Sequence, residues 1–127
     1  MAVVLVSSAF FMGKTLSVYV SGSHIEKGEK VVILDAGHGQ SDSGKIGVNG
    51  KEEKDINLSI AKKVERKLKK QRIVVKMTRT EDKGLDDTKI GDMKERVELI
   101  NGTKPNLAVS IHQNSYTQEE IKGAQVF

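Results

Sequence analysis

Lys30-Val31-Val32-Ile33-Leu34-Asp35-Ala36-Gly37-His38-Gly39 is the stretch that decides the fold. Lys30 to Leu34 is a short apolar run ended by Asp35 and Gly37, the pattern of a buried strand that carries a histidine just past its carboxyl end. Ile73 to Met77 and Leu107 to Ile111 repeat the pattern. Between the first two runs, Ile56, Ile60, Ala61, Val64 and Leu68 recur at helical spacing with lysines and Arg66 opposite, which predicts an amphipathic helix over residues 54–70. A shorter helix is predicted over 92–101, with Met93, Val97 and Ile100 on one face, Asp92 as its N-cap and Asn101-Gly102 as its stop. The order β-α-β-α-β implies parallel strands joined by right-handed crossovers, hence an open α/β sheet with helices on both faces, a three-layer sandwich.

In such a sheet every strand-to-helix loop opens on one edge. His38 leaves the first strand there, Glu53 stands at the start of the helix that follows, and His112, in Val109-Ser110-Ile111-His112-Gln113-Asn114, leaves the third strand. A strand order of 2-1-3 makes strands one and three neighbours about 4.8 Å apart, at the switch point where open α/β sheets bind ligands. A His/Glu/His set of nitrogen and oxygen donors fits a catalytic zinc site, which uses three protein ligands and leaves a fourth position for water or substrate. Each residue also has a plainer reading. A single histidine after a strand is commonly a surface or hydrogen-bonded residue, and Glu52 or Asp55 would serve the helix macrodipole as well as Glu53 does. Spacing does not choose between Glu52 and Glu53. His24, in a polar stretch before the first strand, reads as a bystander. Gly37, Gly39, Gly44, Gly47 and Gly50 make a pliable loop, but no GxGxxG or Walker pattern accompanies them.

The ordered succession Asp35-Ala36-Gly37-His38-Gly39 with Asp42 and Gly44, Glu53-Lys54-Asp55-Ile56-Asn57-Leu58, Met77-Thr78-Arg79-Thr80 with Asp82, Arg96 with Asn101, and Ser110-Ile111-His112-Gln113-Asn114 resembles the zinc-dependent N-acetylmuramoyl-L-alanine amidases. Within them it looks closest to the CwlD-type enzymes of spore-forming bacteria, and the likeness runs from about Lys30 to Phe127. The resemblance implies one zinc ion held by His38, Glu53 and His112. It also implies peptidoglycan as substrate, cut at the amide between N-acetylmuramic acid and L-alanine during cell-wall or spore-cortex remodelling. Bound zinc would polarise the carbonyl and bring the pKa of its water to about 7. A ligated Glu53 cannot also shuttle the proton, and the resemblance implies a second, catalytic glutamate beyond Phe127. Glu119 and Glu120, on the loop after His112, do not occupy that position.

Two readings therefore compete: an active zinc amidase, and a zinc- and peptidoglycan-binding piece lacking that glutamate. Gly123-Ala124-Gln125-Val126-Phe127 begins to alternate like a strand, and two helices are few to cover a parallel sheet, so the domain is expected to be incomplete, with an open edge suited to a partner protein or self-association. A third reading is a basic α/β domain without metal.

Around the site, Asp35 is placed to accept a ligand imidazole's N–H, and Asn114 to orient substrate. Arg79 and Arg96 are able to bridge loops or grip a substrate carboxylate, with pairing to Asp82, Asp86 or Asp92 preferred. Residues 83–91 form a long polar connection of the kind that lines clefts. The chain has 127 residues, no cysteine and a net charge of +4, which fits one domain and excludes disulfides and thiolate ligands. The lysines cluster on the first helix, at Lys62, Lys63, Lys67, Lys69 and Lys70, and read as a solvated face; without an aromatic platform they do not read as a nucleic-acid site. Residues 1–29 form a separate segment. Ala2 to Met12 resembles the core of a signal or anchor, although no Lys or Arg precedes it, and Ser21 to Glu29 is a linker. Export, secreted or membrane-tethered, is the expectation; packing of that stretch on the domain is its alternative.

Overall fold

The computed structural model describes residues 28–116 and 120–127. The apolar stretch 2–12, His24 and Glu119 lie outside the described residues. Strand β1 (Val31–Ala36) leads to helix α1 (Glu53–Lys70), strand β2 (Val74–Met77), helix α2 (Lys89–Thr103) and strand β3 (Leu107–Ile111). The strands form one parallel sheet in the order β2-β1-β3, the 2-1-3 order in which strands one and three are neighbours.

β1 is buried from end to end because it is the central strand and is covered on both sides. Alternation of side chains sends Val32 and Leu34 to one face, where they pack with Val75 and with Val64 and Leu68 of α1. Asp35 turns to the other face, and there Arg96 of α2 meets it. The buried stripe of α1 runs Glu53, Asn57, Ala61, so it changes from apolar to polar as it nears the carboxyl edge of the sheet. Asn106 fastens the start of β3: its amide donates to Val31 O at 2.9 Å and its side-chain oxygen accepts from Val31 N at 2.7 Å.

Four expectations are corrected. Helix α2 begins at Lys89, capped by Thr88, whose hydroxyl accepts from Gly91 N at 3.0 Å. Asp92 lies one turn inside, where its carboxylate accepts from Leu85 N and from Arg96 Nε. The helix stops at Lys104, in the left-handed region at φ 49°, and not at Asn101-Gly102. The apolar face of α2 is not its packed face: Arg96 is buried while Met93 and Val97 stand 60% and 56% exposed. Satisfying a guanidinium with backbone carbonyls fixes this helix more than burying a weak apolar stripe does. Last, residues 123–127 form no strand, and Val126 and Phe127 are fully exposed. Among the described residues no helix is long and apolar enough to cross a membrane.

Thr88→Ala removes the cap of α2, and urea unfolding is expected to show a loss of about 1 kcal/mol.

Candidate metal centre

The register of β1 against β3 brings the two histidines together. Ala36 lies opposite Ile111, and Gly37 N donates to Ile111 O at 3.1 Å, so Gly37 and His112 leave the sheet side by side. A Cβ on Gly37 would overlap the His112 ring, and one on Gly44 would come within 2.6 Å of His38 Cδ2 and 2.8 Å of Glu53 Oε2. These two glycines clear the space in which the rings and the carboxylate meet. His38 takes φ 63°, a left-handed conformation that side chains other than glycine rarely hold.

Glu53 is the first residue of α1 and is 5% exposed. Its carboxylate accepts from Lys45 N at 2.9 Å, Gln113 N at 2.8 Å and Asn57 Nδ2 at 3.4 Å. Burial pushes its pKa up, but these donors and the nearby His38 outweigh burial and hold it down at about 2. Glu52 instead turns outward to Lys54 Nζ at 3.2 Å, so the structure aims Glu53 at the histidines.

Glu53 Oε1 lies 3.2 Å from His38 Nε2 and 3.1 Å from His112 Nδ1. The two rings meet edge to face with centroids 4.8 Å apart, and one donor atom from each of the three residues fits within a 4.8 Å span. Tetrahedral zinc with bonds of about 2.0–2.1 Å spaces its ligand atoms about 3.3 Å apart, so two of the three edges already match. The hydrogen bonding points the same way. His38 Nδ1 donates to Asp42 Oδ2 at 2.9 Å. Asp42 is an acceptor at neutral pH: burial raises its pKa, but His38, Lys89 and Gly44 N bring it down to about 2. With Nδ1 given to Asp42, Nε2 is the nitrogen that His38 presents to the Glu53 carboxylate. Two lone pairs at that distance repel unless a proton or a metal ion stands between them, and the three residues could hold such an ion.

Asp35 does not accept from either imidazole. Its oxygens take Thr78 Oγ1 at 2.8 Å, Arg96 Nη1 at 2.7 Å and Ser110 Oγ at 2.7 Å. Burial alone would raise its pKa, and those bonds lower it. The carboxylate that meets the His38 ring is Asp42, four residues further on. Arg79 neither grips a carboxylate nor reaches into the cleft: it is 5% exposed and donates to main-chain oxygens of Ala36, Gly37, Lys54 and Glu81. Arg96 does pair with Asp92, at 2.7 Å. Asn114 is exposed and donates to Gln125 Oε1 at 3.2 Å; Glu120 is exposed on a turn. Asn57 and Gln113 were also missed, although a polar residue one turn after Glu53 on the buried stripe of α1 was a readable signal. A cleft of about 240 Å³ opens beside the donors, with His38 and His112 on one side and Met93, Val97 and Ile100 on the other.

Gly37 has no left-handed φ, so Gly37→Ala is expected to fold with His112 displaced, and isothermal titration should show zinc affinity reduced by about tenfold or more. Glu53 and Asp42 have pKa values of about 2 when folded against about 4 unfolded. Their contribution to stability is therefore fully present above about pH 4.5 and lost as pH falls toward 2. Thermal melts of the metal-free chain between pH 2 and 6 should fall over that window, less steeply for Glu53→Gln.

The family model described as N-acetylmuramoyl-L-alanine amidase matches residues 32–127. The germination-specific N-acetylmuramoyl-L-alanine amidase of Bacillus subtilis is 39% identical over 107 residues, covering 77% of this chain and 44% of that protein. AmiA of Escherichia coli is 38% identical over 100 residues, covering 79% and 32%. Among solved structures, the CwlD amidase of Clostridioides difficile, in complex with the GerS lipoprotein, superposes with TM-score 0.67 at 33% identity, covering 73% of this chain and 52% of that one. The catalytic domain of CwlV from Bacillus (Paenibacillus) polymyxa gives TM-score 0.62 at 42% identity, covering 70% and 48%. The chain spans less than half the length of these curated relatives. With the family model matching most of its length, the chain belongs to the N-acetylmuramoyl-L-alanine amidase family.

Proposed function

We propose that this chain is the zinc-binding part of a hydrolase that cuts the amide between N-acetylmuramic acid and L-alanine in peptidoglycan, with His38, Glu53 and His112 as the ligands of one zinc ion. The observation that carries the proposal is the ionised, nearly buried Glu53 carboxylate facing an imidazole nitrogen on each side, at 3.2 and 3.1 Å. The site's donors, all nitrogen and oxygen, suit catalytic zinc. When bound, zinc supplies Lewis-acid polarisation of the scissile carbonyl and an activated water. The chain's own residues shape the site around it. Asp42 fixes the tautomer and aim of His38, Gln113 N and Lys45 N keep Glu53 ionised, and the cleft beside Met93 and Val97 gives a substrate access to the open side of the cluster.

A second reading is favoured by the carboxylates themselves. Asp35 is taken by three donors, Asp42 by His38 and Lys89, and Glu53 belongs to the donor set. None of these is left to take a proton from the attacking water or give one to the leaving amine. On this reading the chain alone binds zinc and peptidoglycan and needs a further glutamate for turnover. The proposal places the protein outside the cytoplasm, where its substrate is. The germination-specific and CwlD relatives support spore-cortex remodelling as its setting, and the complex of CwlD with a lipoprotein supports a protein partner.

Stoichiometric zinc is expected in the purified chain, with release of L-alanine-terminated stem peptides from peptidoglycan that chelation abolishes. His112→Ala should weaken zinc binding by more than about 100-fold. Zinc and wall binding without peptide release selects the second reading, and absence of zinc from the wild type refutes both.

A further inference from the structure

Three successive main-chain carbonyls on the loop that carries His38 all accept from buried guanidinium groups. Ala36 O takes Arg79 Nε and Arg96 Nη1, both at 2.8 Å; Gly37 O takes Arg79 Nη2 at 3.1 Å; His38 O takes Arg96 Nη2 at 2.8 Å. The backbone they hold includes His38 at φ 63°, in the left-handed region that a residue with a Cβ holds at a cost. The same two side chains reach the other ligand-bearing elements. Arg79 Nη2 also donates to Lys54 O at 2.7 Å, in the first turn of α1 beside Glu53. Arg96 binds Asp35, whose second oxygen accepts from Ser110 on β3, two residues before His112.

We propose that Arg79 and Arg96 are positioning residues of the metal centre: together they lock the His38 loop, the start of α1 and the end of β3 so that the three donors converge before any ion arrives. This rests on the zinc reading above. Each of Arg79's hydrogen bonds ends on a main-chain oxygen, and burial together with the neighbouring Arg96 opposes its charge. A buried cation without a carboxylate of its own is a poor device for stability. A planar fork with fixed donor directions is a good one for orienting peptide planes, and a lysine ammonium cannot reproduce it.

The test compares wild type with Arg79→Lys, Arg96→Lys and the core variant Leu34→Ala, each at a temperature where circular dichroism shows it folded. The readouts are zinc affinity by competition with a chromophoric chelator and the visible spectrum of the cobalt(II)-loaded protein. Loss of about 10- to 100-fold in zinc affinity, with an altered cobalt spectrum, is expected in either lysine variant. Leu34→Ala should lower the melting temperature and leave both readouts unchanged. Should one lysine variant fail to fold, the other decides. Lysine variants that bind zinc within threefold of wild type with its cobalt spectrum, or a Leu34→Ala variant that loses affinity equally, overturn the proposal while the zinc reading stands. A wild type that binds neither metal overturns both.

Discussion

Where Ala36 pairs with Ile111, the next residues along two parallel strands leave the sheet together, and everything at the site follows from that register. A slip of one residue would turn Asp35 and the inward-facing valines to opposite faces and carry His38 away from His112. The register is fixed by the burial of β1 on both faces and by Asn106, which binds Val31 through both its amide and its side chain. Gly37 then supplies the room that the His112 ring occupies. Fold and site are thus one construction, since the residues that follow the ends of β1 and β3 are the ones gathered with Glu53 at the candidate site.

Around that edge the interior turns polar in an ordered way. Asn57, Thr78, Arg79 and Arg96 are buried, and among the described residues no buried side-chain nitrogen or oxygen lacks a partner. Buried charges are costly unless paired, and here Asp35 and Arg96 pair with one another while each keeps further hydrogen bonds. The carboxylates end up ionised in spite of burial because each faces several donors. Such an arrangement suits a site that must present negative charge and nitrogen lone pairs to a cation without rearranging.

Much of this was legible in the sequence. Hydrophobic runs gave the three strands, the 3.6-residue period of Ile56, Ile60, Ala61, Val64 and Leu68 gave α1, and alternation of the two kinds of element gave a parallel sheet. Those patterns bring the ends of β1 and β3 and the start of α1 to one edge, but they leave open both the 2-1-3 order, since right-handed crossovers allow 1-2-3 as well, and the choice of Glu53 over Glu52, since either suits the first turn of a helix. What was misread lay where side-chain hydrogen bonding overrides pattern. Thr88 and Asp92 are both good N-caps by residue type, and only the bond from Asp92 to Arg96 and Leu85 shows that Asp92 is committed elsewhere. Asp35 and Asp42 flank His38 at similar distance in sequence, yet strand alternation turns Asp35 into the sheet face and the loop folds Asp42 back onto the ring. For Arg79 the preferred expectation was pairing with an aspartate; it bridges loops instead, through main-chain oxygens that leave no trace in a sequence.

X-ray absorption at the zinc edge of the metal-loaded chain tests the account most directly, because it reads the ligand shell itself. The account predicts a tetrahedral shell of nitrogen and oxygen at about 2.0–2.1 Å with the outer scattering of two imidazoles, reduced to one in His112→Ala. A shell without imidazole scattering, or one unchanged by that substitution, would contradict it.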